Sequence, residues 1–366
     1  MRKILYLTPF VPSNIGAGVN YSKLLIDELS KEYHIDLITY KAKTDAPFYA
    51  KTKSVRVIKE YRNTYTSKIL GILSFPFLFP LFTVRFNWRR VFFVKKLIKK
   101  EHYDIIYFDF SQTFLFSCFI KHPHKILMSH DVITQRYQRE KSKIFYKFCR
   151  FSEKIVLRKS YGEIFTFSQK DCDLILKEFN LSSTPTNFFI PVKAEKVIPQ
   201  KIDDYYVFFG MWKRKDNFEG LNWFLKEVYF KISDQNIIII GAALNSTTLE
   251  IIKNYSKISY LGFVDNPYNL ITNAKALIAP LFTGAGVKVK VIDALACGTP
   301  VVGSEVSFEG IDDKYKAFLI EAKSPDEYVK KMEYVNHMSL DERVKFKKFF
   351  LDNYTRKTII EYINNI

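Results

Sequence analysis

The sequence is poor in cysteine and in acidic residues, and it has no long uncharged apolar run. Its 4 cysteines stand far apart, and none has the spacing of a zinc site or a redox motif, so we expect reduced thiols. The longest uncharged run, residues 69–84, is shorter than the roughly 20 apolar residues of a membrane span and contains two prolines. No His, Cys and Asp cluster has metal-ligand spacing. These absences predict a cytoplasmic protein with neither a membrane span nor a bound metal.

The charge is strongly basic and unevenly placed. Lys and Arg number 56 against 38 Asp and Glu, which gives a net charge of +18. Almost all of this excess lies in residues 1–200, and residues 51–100 contain a single acid, Glu60. A field of this kind attracts an anionic surface or substrate. We therefore expect the anionic partner to meet the first half of the chain.

Length and pattern predict two α/β domains. The chain of 366 residues can bury two large cores, and it contains neither a repeat nor a low-complexity segment. Short apolar runs that fit buried strands alternate with helical patterns in both halves. A segment rich in Pro, Ser and Thr, from Pro185 to Lys201, is the expected linker between them.

The most informative stretch runs from Pro280 to Glu309. It is preceded by an apolar strand-like run ending at Ala279 and opens with a flexible turn, Thr283–Gly286. A helical pattern then ends at Gly298, and another buried strand follows. A strand, a glycine turn and a helix in this order are typical of phosphate binding in open α/β sheets.

Two lysines accompany that turn. Lys288 and Lys290 fall at the predicted start of the helix, where the helix dipole favours acidic side chains instead. A bound anion accounts for cations at this position. The sequence therefore predicts that both lysines face a phosphate-bearing ligand.

The stretch resembles the donor-binding segment of family 4 glycosyltransferases, which are retaining sugar-nucleotide enzymes. The run Asp293-Ala-Leu-Ala-Cys-Gly-Thr-Pro-Val-Val is close to the family's own, in which a carboxylate holds the ribose hydroxyls; here that residue is Asp293. The family's other acid, eight residues earlier, is replaced by Ala285, which puts the usual contact to the transferred sugar in question.

The resemblance implies a domain organisation. It implies the GT-B fold, an α/β architecture of two doubly wound Rossmann-like domains facing across a cleft. Residues 1–190 would bind the acceptor and residues 200–340 the nucleotide sugar. The helices of residues 341–366 would cross back to the first domain.

Other positions match the family singly. The loop Gly16-Ala17-Gly18 resembles its glycine-rich loop after the first strand, and His130 stands where the family has a histidine that contacts the donor sugar. We expect Asp131 to orient that imidazole and Asp109 to be a loop or cap residue. The donor-binding positions of the second half are Gly210, Lys213, Gly262 and Gly286. Met211 replaces an arginine of the family, and Lys213, Arg214 or Lys215 would supply its diphosphate contact instead.

Residues 69–100 combine aromatic and basic side chains. Apolar residues lie between the bases Arg85, Arg89, Arg90, Lys95 and Lys96, a basic amphipathic pattern suited to a bilayer interface. We predict that these bases meet the acceptor or an anionic membrane. The alternative is an ordinary surface helix with a solvated basic face. Nucleic-acid binding has no module signature here.

The motif Asp171-Cys172-Asp173 matches the metal-binding motif of a different glycosyltransferase fold, GT-A. We reject that interpretation, because these acids follow Ser168 at a predicted helix start, where carboxylates are favoured.

The expected function is transfer of a sugar from a UDP- or GDP-sugar to an acceptor hydroxyl. The expected acceptor is a lipid-linked glycan of cell-surface polysaccharide assembly, at the inner face of the membrane. His130, Lys288 and Lys290 would serve catalysis, without cofactor or metal. Two alternatives stay open: a nucleotide-sugar epimerase of the same fold, and a non-catalytic nucleotide-binding protein at the membrane. A nicotinamide dehydrogenase is excluded, because Tyr21 replaces the third glycine of its fingerprint.

Overall fold

The chain folds into two compact units in a computed structural model. The described residues are 2–14, 16–43, 45–139, 142–181, 184–190, 192, 194, 197–354 and 359–366. One unit comprises Met1–Phe189 with Lys357–Ile366, and the other comprises Ile190–Arg356. Several residues of the expected linker lie outside the described ranges. Across those ranges, no helix is both long enough and apolar enough to cross a membrane.

The first unit is built on a parallel sheet that has seven strands among the described residues, in the order β3-β2-β1-β4-β5-β6-β7. The strands are β1 (Arg2–Leu7), β2 (Tyr33–Lys41), β3 (Val55–Arg62), β4 (Ile105–Asp109), β5 (Lys125–Met128), β6 (Glu163–Thr166) and β7 (Thr186–Asn187). The inner strands are almost wholly buried, as in parallel sheets covered by helices on both faces.

Helices of the first unit differ in length, and several of them begin at polar caps. They are α1 (Ala17–Leu29), α2 (Tyr65–Ser74), α3 (Pro80–Thr83), α4 (Trp88–Lys100), α5 (Phe114–Ser117), α6 (Ile133–Arg139), α7 (Lys143–Ser160) and α8 (Gln169–Phe179). Asn87 accepts a hydrogen bond from the Arg89 backbone N–H and starts α4. Ser168 does the same for the Asp171 N–H, so the predicted helix cap before Asp171 is confirmed.

The second unit repeats the architecture. Its described strands pair in parallel in the order β10-β9-β8-β11-β12-β13. They are β8 (Tyr206–Phe209), β9 (Ile237–Ile240), β10 (Ile258–Gly262), β11 (Leu277–Ala279), β12 (Val301–Gly303) and β13 (Leu319–Glu321). Phe208 packs in one core and Val207 in another, because successive strand residues face opposite sides of the sheet.

The helices of the second unit cover both faces of its sheet. They are α9 (Lys215–Glu227), α10 (Ser246–Lys253), α11 (Tyr268–Asn273), α12 (Val289–Cys297), α13 (Pro325–Asn336) and α14 (Leu340–Asn353). This two-sided layering is that of a doubly wound α/β domain.

The C-terminal helices differ from the expected division. Helix α14 lies in the second unit, where Arg343 donates to the Ala274 carbonyl and Lys347 donates to that of Ala296. Only the chain from Lys357 onward, with α15 (Ile359–Asn364), belongs to the first unit. There Tyr362 donates to Glu163 at 2.6 Å. The boundary expected at residue 341 therefore moves past α14, because its two buried cations are bonded to carbonyls of the second unit.

Candidate functional site

Each unit has one place where the strand order reverses direction. It lies between β1 and β4 in the first unit, and between β8 and β11 in the second. Ligands of open α/β sheets bind beyond the carboxyl ends of the strands at such switch points. The residues singled out in the sequence gather at both places.

In the second unit, the turn after β11 leads to an uncapped helix start. Gly284 and Gly286 have φ values of 110° and 69°, a backbone conformation that glycine adopts without strain. Lys288 occupies the N-cap position of α12 and makes no side-chain cap bond, since an ammonium cannot accept one. The first backbone N–H groups of α12 therefore lack a side-chain cap and suit an anion.

The Lys288 side chain folds back and bonds to the glycine turn that precedes it. Its Nζ donates to the carbonyl of Gly286 at 2.6 Å and to that of Ala285 at 3.3 Å. The Glu309 carboxylate lies 3.8 Å away, and both side chains are buried. Glu309, to which the sequence assigned no role, thus comes from beyond β12 to balance this lysine.

Lys290 points toward the first turn of α9, the helix that follows β8. Its Nζ donates to Asn217 Oδ1 at 2.7 Å, although part of the side chain reaches solvent. Burial lowers the pKa of this ammonium to about 7; the charges of Arg214 and Lys288 act in the same direction, and that of Asp216 opposes them. The site therefore holds more positive charge than it neutralises.

Of the three cations expected near the diphosphate, Arg214 is the one that meets this cluster. The Arg214 guanidinium pairs with Asp216 at 2.9 and 3.1 Å, and both Arg214 and Lys213 are exposed. Burial opposes ionisation of Asp216, but its bonds from Arg214 and the nearby charges outweigh burial and lower the pKa of that carboxyl. Sequence position alone did not separate these neighbouring cations.

Gly210 and Gly262 stand at strand ends for different reasons: Gly210 permits close packing, whereas Gly262 meets no close neighbour and adopts a positive φ. A Cβ on Gly210 would lie 2.8 Å from Asn217 Nδ2, which itself donates to the Met211 carbonyl at 3.0 Å. Gly262 has φ 68° at the irregular end of β10. Gly210 thus allows Asn217 to sit against the strand end and hold Lys290.

Asp293 lies on the inner face of α12, 5% exposed. Burial first, and then the Asp293 charge, raise the pKa of Tyr268. Burial raises the pKa of Cys297 to about 12, with the Asp293 charge acting in the same direction and the hydrogen bond with Thr272 opposing it. The carboxylate is thus placed one turn along the helix from Lys290. Its contact with a ribose stays a prediction.

In the first unit, His130 is held by Asp109. The imidazole Nε2 lies 2.7 Å from Asp109 Oδ1, and Ser22 Oγ donates to Asp109 Oδ2 at 2.5 Å. Asp109 is the last residue of β4 and is fully buried. The expectation that Asp131 orients the imidazole is wrong, because the neighbouring strand β4 brings Asp109 to it. Asp109 is likewise more than a loop or cap residue.

The other faces of the imidazole are closed by aromatic rings. Phe110 stacks on His130 with ring centroids 3.6 Å apart, and its own φ is 62°. Tyr21 and Phe167 meet the imidazole edge-on at 5.5 and 5.1 Å. These contacts fix the ring plane and leave Nδ1 directed toward α1.

The glycine-rich loop meets His130 at that nitrogen. A Cβ on Gly18 would lie 3.3 Å from His130 Nδ1 and 2.9 Å from the Phe110 ring, so only glycine fits without a shift. Gly16 starts α1 with φ 97°. The side chain of Ala17 lies outside the described residues. The loop and the histidine, which the sequence placed in one site, are therefore brought together by the structure.

Buried tyrosines lie near the Asp109 carboxylate. Burial first, and then the Asp109 charge, raise the pKa of Tyr6 and Tyr21 well above their usual value. Asp109 thus lies among buried rings, where Ser22 and His130 bond to its two oxygens.

The basic segment divides into two groups. Arg89, Lys95 and Lys96 are exposed on α4, as predicted for an outer face. Arg85 is buried before the helix begins, and Arg90 is partly buried. The idea that all five bases form one membrane-facing surface is wrong.

Most of the neighbouring aromatic run also belongs to the core. Phe79 and Phe82 are buried, and Phe75 packs against the same cluster. Phe77 is exposed. Among the described residues, no group of three or more His, Cys, Asp or Glu is arranged to hold a metal ion.

Comparison with solved structures defines the fold class. Sucrose-phosphate synthase from Thermosynechococcus elongatus matches with a TM-score of 0.72 and 13% identity, over 100% of this chain and 98% of that chain. S. aureus TarM, in a complex that contains UDP and alpha-GlcNAc-glycerol, matches at 0.71 with 13% identity, over 100% and 99%. WaaG, a glycosyltransferase involved in lipopolysaccharide biosynthesis, matches at 0.67 with 12% identity over 98% of both chains. The chain has the GT-B fold, with two Rossmann-like domains.

Sequence comparison identifies a domain in the second half of the chain. Residues 203–336 match the family model described as Glycosyl transferases group 1. The chain therefore carries a group 1 glycosyltransferase domain and is a glycosyltransferase. An uncharacterized 44.6 kDa protein in the cps region of Klebsiella pneumoniae is 25% identical, over 99% of each chain.

Proposed function

We propose that this glycosyltransferase is a retaining enzyme of family 4 that moves a sugar from a UDP- or GDP-sugar to an acceptor hydroxyl. The observation that carries the proposal is the cationic cluster of Lys290, Lys288 and Arg214 at the uncapped start of α12. A nucleotide diphosphate supplies the negative charge that this cluster lacks. The presence of UDP in the TarM complex supports the same class of ligand.

The chemistry needs stabilisation of a leaving diphosphate. The bond between the sugar's anomeric carbon and the diphosphate oxygen breaks, and a bond to the acceptor oxygen forms. The acceptor proton passes to the departing diphosphate, so no separate base is required. Lys290, Lys288 and the α12 N–H groups stabilise the negative charge that develops on the diphosphate.

The remaining site residues position the substrates. Asp293 accepts hydrogen bonds from the ribose hydroxyls. His130, held by Asp109, contacts the donor sugar. The first unit binds the acceptor. No cofactor or metal takes part.

A thermal-shift screen against UDP, GDP, ADP, TDP and CMP tests the nucleotide. A ligand at one hundred times its dissociation constant stabilises the folded state by about 2.7 kcal/mol. We expect UDP or GDP to raise the melting temperature, Lys290→Gln to remove that shift, and Lys213→Gln, at an exposed position, to retain it. No shift with any of the five, or an equal shift in the Lys290 variant, contradicts the proposal.

We further propose that the acceptor is a lipid-linked glycan of cell-surface polysaccharide assembly and that the protein binds the inner face of the membrane. Trp88 and Phe92, one turn apart on α4, are 42% and 64% exposed, and Arg89 and Lys96 are exposed on the same helix. Helix α2 also carries exposed apolar side chains, among them Leu73. An apolar surface beside basic side chains suits an anionic bilayer. The description of WaaG supports a role in polysaccharide assembly.

Sedimentation with liposomes tests the membrane proposal. Each basic residue near an anionic surface contributes about 1 kcal/mol. We expect binding to anionic liposomes that weakens as salt rises, and Arg89, Lys95 and Lys96 changed to Glu should release the protein without altering nucleotide affinity. Lys345→Glu with Lys348→Glu, exposed on α14, is the matched control and should bind as wild type. Wild type that ignores anionic liposomes at low salt favours a soluble acceptor.

A further inference from the structure

Arg85 is a buried cation without a carboxylate partner. It is 8% exposed, and its guanidinium lies over the rings of Phe10 and Tyr40, at 5.6 and 5.7 Å from their centroids. One nitrogen donates to Asn63 Oδ1, whereas Nε has no partner among the described residues. A buried charged donor left in this state needs an acceptor from outside the chain.

Arg90 places a second guanidinium beside the first. It lies over Tyr40 at 4.9 Å and over Tyr61 at 4.6 Å, and it donates to the Arg85 carbonyl at 3.0 Å. In the described part of the chain, neither guanidinium forms an ion pair with a carboxylate. Burial lowers the pKa of Arg85, and the neighbouring charge of Arg90 lowers it further. The electrostatic effects of Tyr40 and Asp45 act in the opposite direction but do not restore the pKa.

Both cations lie at the edge of the sheet that carries His130. Phe10 follows β1 and meets Phe110 edge-on at 5.2 Å, and Phe110 stacks on His130. Tyr40 and Tyr61 come from the carboxyl ends of β2 and β3. Phe10 and Phe110 therefore lie between the Arg85 guanidinium and the imidazole. The rings that hold both arginines come from the carboxyl ends of strands, the same edge of the sheet as the switch point.

We propose that Arg85 and Arg90 form a subsite for a phosphoryl group carried by the acceptor. The proposal rests on the proposed function, in which the first unit binds the acceptor. Two guanidinium groups without a carboxylate match a doubly charged oxyanion better than a single carboxylate, and their planar donor sets suit phosphate oxygens. The aromatic rings hold the cations by cation–π contact when no ligand is bound. This subsite is distinct from the exposed bases Arg89, Lys95 and Lys96, which face outward.

Calorimetry with octyl phosphate tests the subsite. The full chain is first saturated with UDP, so that the cations of the second unit are occupied, and octyl phosphate is then titrated. We expect binding that Arg85→Gln and Arg90→Gln each weaken about tenfold or more, because each removes charge-assisted hydrogen bonds. Arg62→Gln is the matched control and should bind as wild type, because this exposed residue follows Tyr61 on β3 and faces the opposite side of the strand.

Further arms separate the possible causes. UDP affinity and the melting temperature of each variant show whether it folds, and Arg90→Gln, at the partly exposed position, supplies the test if Arg85→Gln does not fold. Octanoate that binds as tightly as octyl phosphate, or octyl phosphate that binds both arginine variants as well as wild type, overturns the phosphate assignment.

The source of the phosphate is tested with vesicles. Tighter binding to octyl phosphate in phosphatidylcholine vesicles than in solution assigns the phosphate to a membrane lipid. Equal binding assigns it to a soluble phosphorylated acceptor, and both results support the subsite. Failure of UDP itself to bind would count against the proposed function alone.

Discussion

Replacing Lys290 by glutamine should change how nucleotide binding depends on pH. In the free protein, burial lowers the pKa of the Lys290 ammonium from 10.5 to about 7. At pH 8.5 the amine is therefore mostly neutral, whereas a bound diphosphate favours the charged form. Binding of UDP should then take up close to one proton. Between pH 7 and the ordinary lysine pKa, affinity should fall by up to about tenfold per pH unit, or about 1.4 kcal/mol.

The stability of the free protein should depend on pH in the opposite direction to UDP affinity. Between pH 7 and 10.5 the unfolded chain keeps its proton on Lys290 while the folded chain has lost it, so the stability of the free protein rises with pH across this window. Below pH 7 the penalty for holding the buried charge is complete. Lys290→Gln should therefore raise the melting temperature of the free protein at pH 6 while weakening UDP binding at pH 7.

Titration calorimetry at pH 8.5, in two buffers of different ionisation enthalpy, measures the proton uptake directly. Lys290→Arg is the matched control, since arginine stays charged throughout and should show neither the uptake nor the slope. Equal proton uptake by wild type and by Lys290→Gln would refute the reasoning, because the proton would then belong to another group.

Three further predictions concern separate parts of the site. Asp293→Ala should weaken nucleotide binding about ten- to a hundredfold, because a hydrogen bond to a charged group is worth about 1.5–3 kcal/mol, and unchanged affinity by calorimetry contradicts the ribose assignment. Activity should survive EDTA in a transfer assay; complete loss that magnesium or manganese reverses would reopen the metal-binding interpretation of Asp171-Cys172-Asp173. Asp109→Asn should lower the rate of transfer and change its pH profile, because His130 loses its carboxylate partner, while UDP affinity stays at the wild-type value. Ser22→Ala should have a smaller effect on the rate. An unaltered pH profile in Asp109→Asn would show that the carboxylate serves packing only.

Local patterns in the sequence were sufficient to predict the strand before the glycine turn, that turn and the approximate start of α12, but not β3, β7 or β13. The apolar run ending at Ala279 and the stop at Gly298 both mark real boundaries, since buried parallel strands and left-handed glycine caps have local signatures. The cap at Ser168 follows the same logic. What a stretch of chain determines by its own periodicity was predictable.

Contacts between distant segments were not predictable in this way. Asp109 reaches His130 because β4 and β5 pair, and no local pattern announces which strand becomes the neighbour. Glu309 meets Lys288 across a similar separation in sequence. The sequence pattern chose Asp131 as the partner of His130 only because it is adjacent in the chain.

Arg85 shows a second limit. The sequence analysis grouped Arg85 with the bases of α4, because a run of charged residues does not reveal which of them is buried. The helix begins at Trp88 with its cap at Asn87, and Arg85, two residues before that cap, turns inward onto aromatic rings. The aromatic residues that receive it come from β2 and from the loop after β1, which the local sequence does not reveal.

The most direct test of the central claim is a transfer assay with radiolabelled UDP- and GDP-sugars and a membrane lipid extract as acceptor. The account predicts that nucleoside diphosphate is released only when acceptor is present, that label appears in the lipid fraction with the donor's anomeric configuration retained, and that Lys290→Gln lowers the rate. Conversion of the nucleotide sugar to its epimer without an acceptor, or nucleotide binding with no label in any acceptor fraction, would contradict it.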